Sequence, residues 1–222
     1  MDTLTKIRSI SVLIPDGGNY DALKVLYCLG KVPEVKAHIL SREKWAMARF
    51  SRYCTRCHYH TSQNDDDWID AIKSVVRKWD IDVVLPVSER GVQFLARNRA
   101  AISEFVAIPP VADVELLKMA QDKWSFQVFA VQHGFPVPAS VLVDVPGETS
   151  VASPDIDSVE YPALLKPTLL DGGFGIVKVK GPSDLDLAWN DERIIKGCRY
   201  MLQSYVQGVI CACRSFAKVE RF

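Results

Sequence analysis

Through the first half of this chain, short, wholly apolar runs alternate with stretches whose apolar residues recur every three to four positions. That alternation limits the fold more than any other feature. "ISVLIP" (10–15) reads as a buried strand, "DGG" turns the chain, and a helix is predicted from Tyr20 to Leu29 with Gly30 closing it. "VKAHIL" (35–40) reads as a second strand and "EKWAMARFS" (43–51) as a helix after it. Asp65 is placed to cap the next helix, where Trp68, Ile69, Ile72, Val75, Val76 and Trp79 fall on one face. "DVVLPV" (82–87) is a third apolar strand, and Ser88 opens the helix "SERGVQFLARN". Strand and helix in strict alternation predict a parallel sheet covered by helices.

Pro109 and Pro110 break this rhythm. Two helices follow, "DVELLKMA" (113–120) and "DKWSFQVFAVQHG" (122–134), the second capped by Asp122 and ended by Gly134. His133 reads as a cation near that helix end or a neutral surface residue. Beyond them come strand-like runs, "FPVPASVLV", "PALLKP", "GIVKVK" and "RYMLQSYV", with a helix opened by Ser183 and ending near Gly197. The expected architecture is therefore α/β, with two parts. Residues 1–110 form an open parallel sheet of Rossmann-like type, and residues 111–222 form a smaller domain with an antiparallel sheet and a helix.

Charge narrows the partners. The chain has 27 Lys and Arg against 27 Asp and Glu, so no overall basic excess draws it to nucleic acid or an anionic membrane. "MDTLTKIRSISVLIP" lacks the long apolar stretch of a signal peptide, and no run reaches bilayer-spanning length. A cytoplasmic setting follows as the expectation, with six cysteines held as reduced thiols.

The chemistry concentrates in "YPALLKPTLLDGGFGIVKV" (161–179). Alternation puts Leu164 and Lys166 on one face of a strand and Leu165 on the other. An ammonium beside apolar neighbours must reach water or meet an anion. Gly172, Gly173 and Gly175 follow, and bare backbone lets amide groups close on phosphate oxygens. The Gly-Lys-Ser/Thr of a P-loop is absent, and the dinucleotide fingerprint fails because Lys178 stands where its third glycine belongs. The protein-kinase loop has glycines first and lysine later, the reverse order. The competing reading is a surface hairpin with turn glycines and a lysine that snorkels to water.

"DKWSFQVFAVQHGFPVPAS", "YPALLKPTLLDGGFGIVKV" and "MLQSYVQG", in that order, resemble the ATP-grasp superfamily, which includes biotin carboxylase, carbamoyl phosphate synthase and D-alanine–D-alanine ligase. The segment before residue 110, including "LPVSERG", resembles the domain that precedes that fold. The resemblance implies that Lys123 and Lys166 approach nucleotide phosphates and that Gly172, Gly173 and Gly175 form the flap over them. It implies that Gln203, Ser204, Tyr205 and Val206 line the adenine edge, with Ser204 standing where the family usually has an acidic residue. The implied chemistry is phosphorylation of a carboxylate by ATP to an acyl phosphate, followed by attack of an amine. In that family magnesium is held by Glu and Asn after the adenine strand, and this chain stops at Phe222, soon after it. The chain is accordingly expected to bind ATP without carrying the magnesium ligands and to be inactive alone. The alternative is a non-catalytic nucleotide-binding or oligomerisation module. Dimerisation through the first domain is common among such proteins, so a homodimer is a further expectation.

Other clusters have bland explanations. "CTRCH" (54–58) matches the c-type haem attachment pattern, and Cys54, Cys57, His58 and His60 could be imagined around zinc. Without an export signal or a second Cys/His pair at finger spacing, a connecting segment through a short strand accounts for it better. Asp65, Asp66 and Asp67 suit a helix start without a metal. Cys211 and Cys213 would share a strand face. Gly17, Gly18 and Glu89 sit where strands of an open parallel sheet end, the usual place for ligands, and are the candidate substrate contacts; the resemblance implies that this domain helps bind the carboxylate substrate. Helix capping alone explains the neighbouring Ser88.

Overall fold

Val12, Leu13 and Ile14 are almost wholly buried because the strand that carries them, β1 (Ile10–Ile14), has neighbours on both sides and helices on both faces. The computed structural model describes residues 8–143, 155–170 and 172–208. They fall into two compact units, Met1–Leu117 and Lys118–Phe222.

In the first unit β1 leads through α1 (Tyr20–Leu29) to β2 (Val35–Ser41) and then to β3 (Cys54–Tyr59). The chain continues through α2 (Asp65–Trp79), β4 (Val83–Val84), α3 (Glu89–Arg97) and α4 (Arg99–Ser103). The sheet order is β3-β2-β1-β4, with every pairing parallel. Ile14, Ala37 and Ile39 pack on α1 through Ala22 and Leu26. Leu13, Leu40 and Val84, on the other face, pack on Trp68, Ile72 and Val75 of α2 and Phe94 of α3. The predicted alternation is thus a helix–sheet–helix sandwich.

Three local expectations need correction. "EKWAMARFS" forms only a short 3-10 turn, Met47–Phe50, with Trp45, Met47 and Phe50 exposed. The cap of α2 is Asn64, whose side chain accepts from the Asp67 amide, so Asp65 is the first helical residue. "DVVLPV" contributes two ladder residues, because Pro86 cannot donate to a neighbouring strand.

α5 (Val114–Gln121) lies across the boundary between the units. The second unit has α6 (Lys123–Gln132), β5 (Ser140–Val143), β6 (Ala163–Pro167), β7 (Val177–Val179), α7 (Leu185–Trp189) and β8 (Tyr200–Ser204). Its sheet is antiparallel in the order β5-β8-β6-β7. One face, with Val143, Ala163, Leu165, Val177, Tyr200 and Leu202, packs against Ala188 of α7. The helix expected from Ser183 is shorter than predicted and ends at Trp189, with Asn190 as its cap.

Candidate nucleotide site

Register sets the site. β6 buries Ala163, Leu165 and Pro167 and turns Leu164 and Lys166 to the opposite, half-buried face. On β8, Gln203 pairs with Leu164 and Met201 with Lys166, so Gln203 stands diagonally across from the lysine. Lys166 Nζ donates to Gln203 Oε1 at 2.5 Å. Gln203 Nε2 donates in turn to Ser140 Oγ at 2.9 Å and to Gln127 Oε1 at 3.3 Å. Gln127, itself buried, donates to the Pro138 carbonyl at 2.8 Å. The ammonium is therefore aimed by strands β5 and β8 and by helix α6. Burial holds its pKa below the usual lysine value, and the neighbouring Lys123 charge lowers it further. Among the described residues neither lysine is paired with a carboxylate.

Asp122 caps α6 by accepting from the Ser125 amide at 2.7 Å. Burial alone would raise its pKa. The bonds from Ser125 and Thr168, with Arg199 nearby, outweigh that and leave it below the ordinary value. The cap fixes Lys123 at the first helical position. Its amide donates to the Thr168 carbonyl at 2.8 Å and its ammonium to the Leu170 carbonyl. Lys123 thus ties α6 to the chain that leaves β6 for the glycines. Gly172, Gly173 and Gly175 have φ of 60°, 80° and 73°, which side chains disfavour. A Cβ on Gly175 would also press on Pro167 and the Tyr200 hydroxyl at 3.1–3.2 Å. Among the described residues nothing lies within 4 Å of where a Cβ on Gly173 would stand. Gly175→Ala is expected to lower the melting temperature, since it combines a left-handed φ with a tight contact. Gly173→Ala should lower it less. Equal shifts measured by thermal unfolding would contradict this.

The strand expected to read adenine is β8 and its exit. Ser204 Oγ accepts from the Glu160 amide at 2.9 Å, and the Ser204 and Tyr205 amides donate to Ala139 and Pro162 carbonyls, each at 2.9 Å. Those two amides therefore serve the fold. Tyr205 and Val206 are exposed, and Lys178 Nζ stands 4.1 Å from the Tyr205 ring. Lys123, Lys166, the glycines and Gln203 gather in one unit, and Gln127 and Ser140 complete the network. Neither was visible as a site residue in the sequence, because only pairing across strands brings them to Gln203.

In the first unit the carboxy-terminal ends of β1 and β4 meet at Asp16. Its carboxylate accepts from the Val87 amide at 3.1 Å, the Ser88 amide at 2.6 Å and the Ser88 hydroxyl. Burial pushes its pKa up, and those hydrogen bonds oppose the rise. Gly91 makes room for the group, since a Cβ there would lie 2.2 Å from Asp16 Oδ2. A shallow cavity beside it is lined by Gly18, Asn19, Arg42, Trp68, Ser88 and Arg90, among others. Gly17 is buried against Ile39 and Glu89 is exposed at the start of α3, and neither lines this cavity.

The "CTRCH" segment is β3. An irregularity in its register between Ala37 and His38 sets Cys54 beside Ala37 and Cys57 beside Ile39, both packed towards α1. Burial raises the Cys54 pKa to about 11, with Cys57 adding to the effect. His60 stacks on Trp68 at 6.2 Å and bonds Ser62 Oγ at 2.7 Å. Among the described residues no group of three or more His, Cys, Asp or Glu side chains is placed to hold a metal ion. His133 caps α6 and donates from Nδ1 to the Phe129 carbonyl at 2.8 Å. Cys211 and Cys213 lie outside the described residues.

A four-stranded parallel sheet followed by a four-stranded antiparallel one is a fold this chain shares with ATP-grasp proteins. Among solved structures, the chain is similar to N5-carboxyaminoimidazole ribonucleotide synthetase from Thermotoga maritima, at 21% identity and a TM-score of 0.55, over 90% of this chain and 47% of that one. It is similar to carboxyaminoimidazole ribonucleotide synthase from Aspergillus clavatus complexed with ATP, at 16% identity and a TM-score of 0.59, over 89% and 47%. It is also similar to a biotin carboxylase from Campylobacter jejuni in a β,γ-ATP complex, at 21% identity and a TM-score of 0.57, over 89% and 45%. The chain thus spans about half the length of the solved structures it matches. No protein-family model and no curated protein matches it. No described helix is long and apolar enough to cross a membrane.

Proposed function

We propose that this chain is the nucleotide-binding portion of an ATP-dependent carboxylate–amine ligase. The observation that carries the reading is the meeting of two lysines, paired with no carboxylate among the described residues, at the root of a three-glycine turn. Two like charges held together cost free energy unless an anion joins them. In the proposed complex Lys166 and Lys123 bind ATP phosphates, and the amides around Gly172, Gly173 and Gly175 close on them. The base lies along Gln203 and the exit of β8 at Ser204, Tyr205 and Val206. With the Ser204 and Tyr205 amides engaged in the fold, reading the base falls to Gln203 and to the backbone from Val206 onward. The carboxylate substrate is proposed at the β1–β4 edge near Gly17, Gly18 and Glu89, with Arg42 and Arg90 supplying positive charge.

ATP would phosphorylate that carboxylate, and an amine would then displace phosphate from the acyl phosphate. The chain's own contribution is to orient the nucleotide and to offset phosphate charge. Magnesium enters no step of this proposal. A cytoplasmic setting and a homodimer belong to the same reading.

Five tryptophans provide a fluorescence signal for nucleotide titration. ATP and ADP are expected to bind without added magnesium, and Lys166→Ala should weaken both by about tenfold or more, the loss of one charge-assisted contact. Lys166→Met separates this from misfolding. Because burial lowers the lysine's pKa, the folded state disfavours its charge, and the variant should melt no lower than the parent at pH 7. Unchanged affinity in Lys166→Ala would overturn the assignment.

A further inference from the structure

The opposite, amino-terminal edge of the parallel sheet holds a second cationic cluster. Register sets Lys36 beside Ser11 of β1, and His38 beside Arg56 of β3, so Lys36, His38 and Arg56 share the face under α2. The last turn of α2 brings Lys78 and Trp79 to them. Trp79 stacks on His38 at 5.3 Å, and the Arg56 guanidinium lies 5.9 Å from the same ring. These residues line a cavity of about 450 Å³.

Two independent observations point to a ligand. His38 is only 3% exposed, and among the described residues neither of its ring nitrogens has a hydrogen-bond partner. Buried polar atoms are normally satisfied, so two on one ring call for an explanation. The charges lining the cavity are also unbalanced. Asp82 accepts from Arg8 at 2.9 Å and from the Ser11 amide at 2.8 Å, while Asp80 lies 3.9 Å from the same Arg8. Among the described residues Lys36, Arg56 and Lys78 pair with no carboxylate.

We propose that this cavity binds a phosphoryl or pyrophosphoryl anion between Lys36, Arg56 and Lys78, with His38 hydrogen-bonded to it. The Arg56 fork and two ammonium groups match a multiply charged oxyanion, whereas a single carboxylate would leave cations unmet. His38 and Arg56 already stand against the Trp79 ring, so the cavity recognises the oxyanion rather than a base. Bound anion would favour protonated His38 against the opposing charges of Lys36, Arg56, Lys78 and Arg8. Asp80 and Asp82 act in the same sense as the anion.

The test is pyrophosphate titration of the Lys166→Ala chain, in which the nucleotide site is weakened, followed by tryptophan fluorescence and the His38 proton resonances. A single saturable event is expected, perturbing His38 and losing its fluorescence signal in Trp79→Phe. Lys36→Gln combined with Arg56→Gln, both at exposed positions, should weaken it by about tenfold or more without lowering the melting temperature. Inorganic phosphate should compete. No saturation in the millimolar range, or affinity unchanged by the double substitution, would overturn the proposal. Neither result bears on nucleotide binding at Lys166.

Discussion

Taking the protein from pH 7 to pH 5 is expected to remove about 4 kcal/mol of stability from the first unit, through two histidines alone. His38 and His60 are 3% and 7% exposed. Burial holds each ring's pKa at about 4, with Arg56 and Lys36 adding to the effect at His38, and Arg42 and His58 at His60. In the unfolded chain both rings titrate near the ordinary histidine value of 6.5. Above that pH both states are neutral and nothing is lost. As pH falls from 6.5 towards 4 the unfolded chain takes up protons that the folded unit refuses. At pH 5 the difference is about 2 kcal/mol per ring. That is a large share of the roughly 5–15 kcal/mol typical of a domain. Urea midpoints at the two pH values measure it, and the interval stays above most carboxylate titration. His38→Leu with His60→Leu should flatten the slope. A parent and double variant with the same pH dependence would show that the rings do not carry it.

Asp16→Ala is expected to cost about 4 kcal/mol, because it leaves two backbone amides, those of Val87 and Ser88, without their acceptor in a part-buried setting. Asp16→Asn keeps one acceptor oxygen and should cost roughly half as much. The carboxylate also opposes the histidines in acid. Its raised pKa means the folded state binds a proton more readily than the unfolded one, so acid relieves strain there while it adds strain at the rings. The Ala variant should accordingly lose stability more steeply in acid than the parent does. Urea unfolding monitored by fluorescence tests both statements. Equal losses for Ala and Asn would place the cost elsewhere than in the orphaned amides.

The parts of this molecule that were legible in the sequence are those decided within a few residues. The apolar runs of β1 and β2, the single face of α2, the Ser88 cap and the Asp122–Gly134 helix follow from local spacing and turn chemistry. So does the placing of Lys166 opposite Leu165 on its strand, with a glycine turn after it. "EKWAMARFS" misled because its apolar residues have helical spacing, yet Trp45, Met47 and Phe50 stay in solvent, so no core rewards a helix there. The Gln203–Ser140–Gln127 network, the clamp of Asp16 on Val87 and Ser88, and the stacking of His38 under Trp79 join residues far apart in the chain. No short window of sequence contains both partners. The reading of Glu89 depended on a general rule about strand ends. At that edge the side chains lining the cavity include Arg42, Ser88 and Arg90, and Glu89 is not among them.

The register of β3 has a consequence for how this chain can vary. Ala37 is matched with Cys54 and His38 with Arg56, so Thr55 is supernumerary, an exposed residue that the ladder does not count. Losing it would leave every other rung matched as before, with both thiols still facing α1. Thr55 also lines the proposed oxyanion cavity, so its loss would alter that cavity's wall while the buried rungs kept their partners.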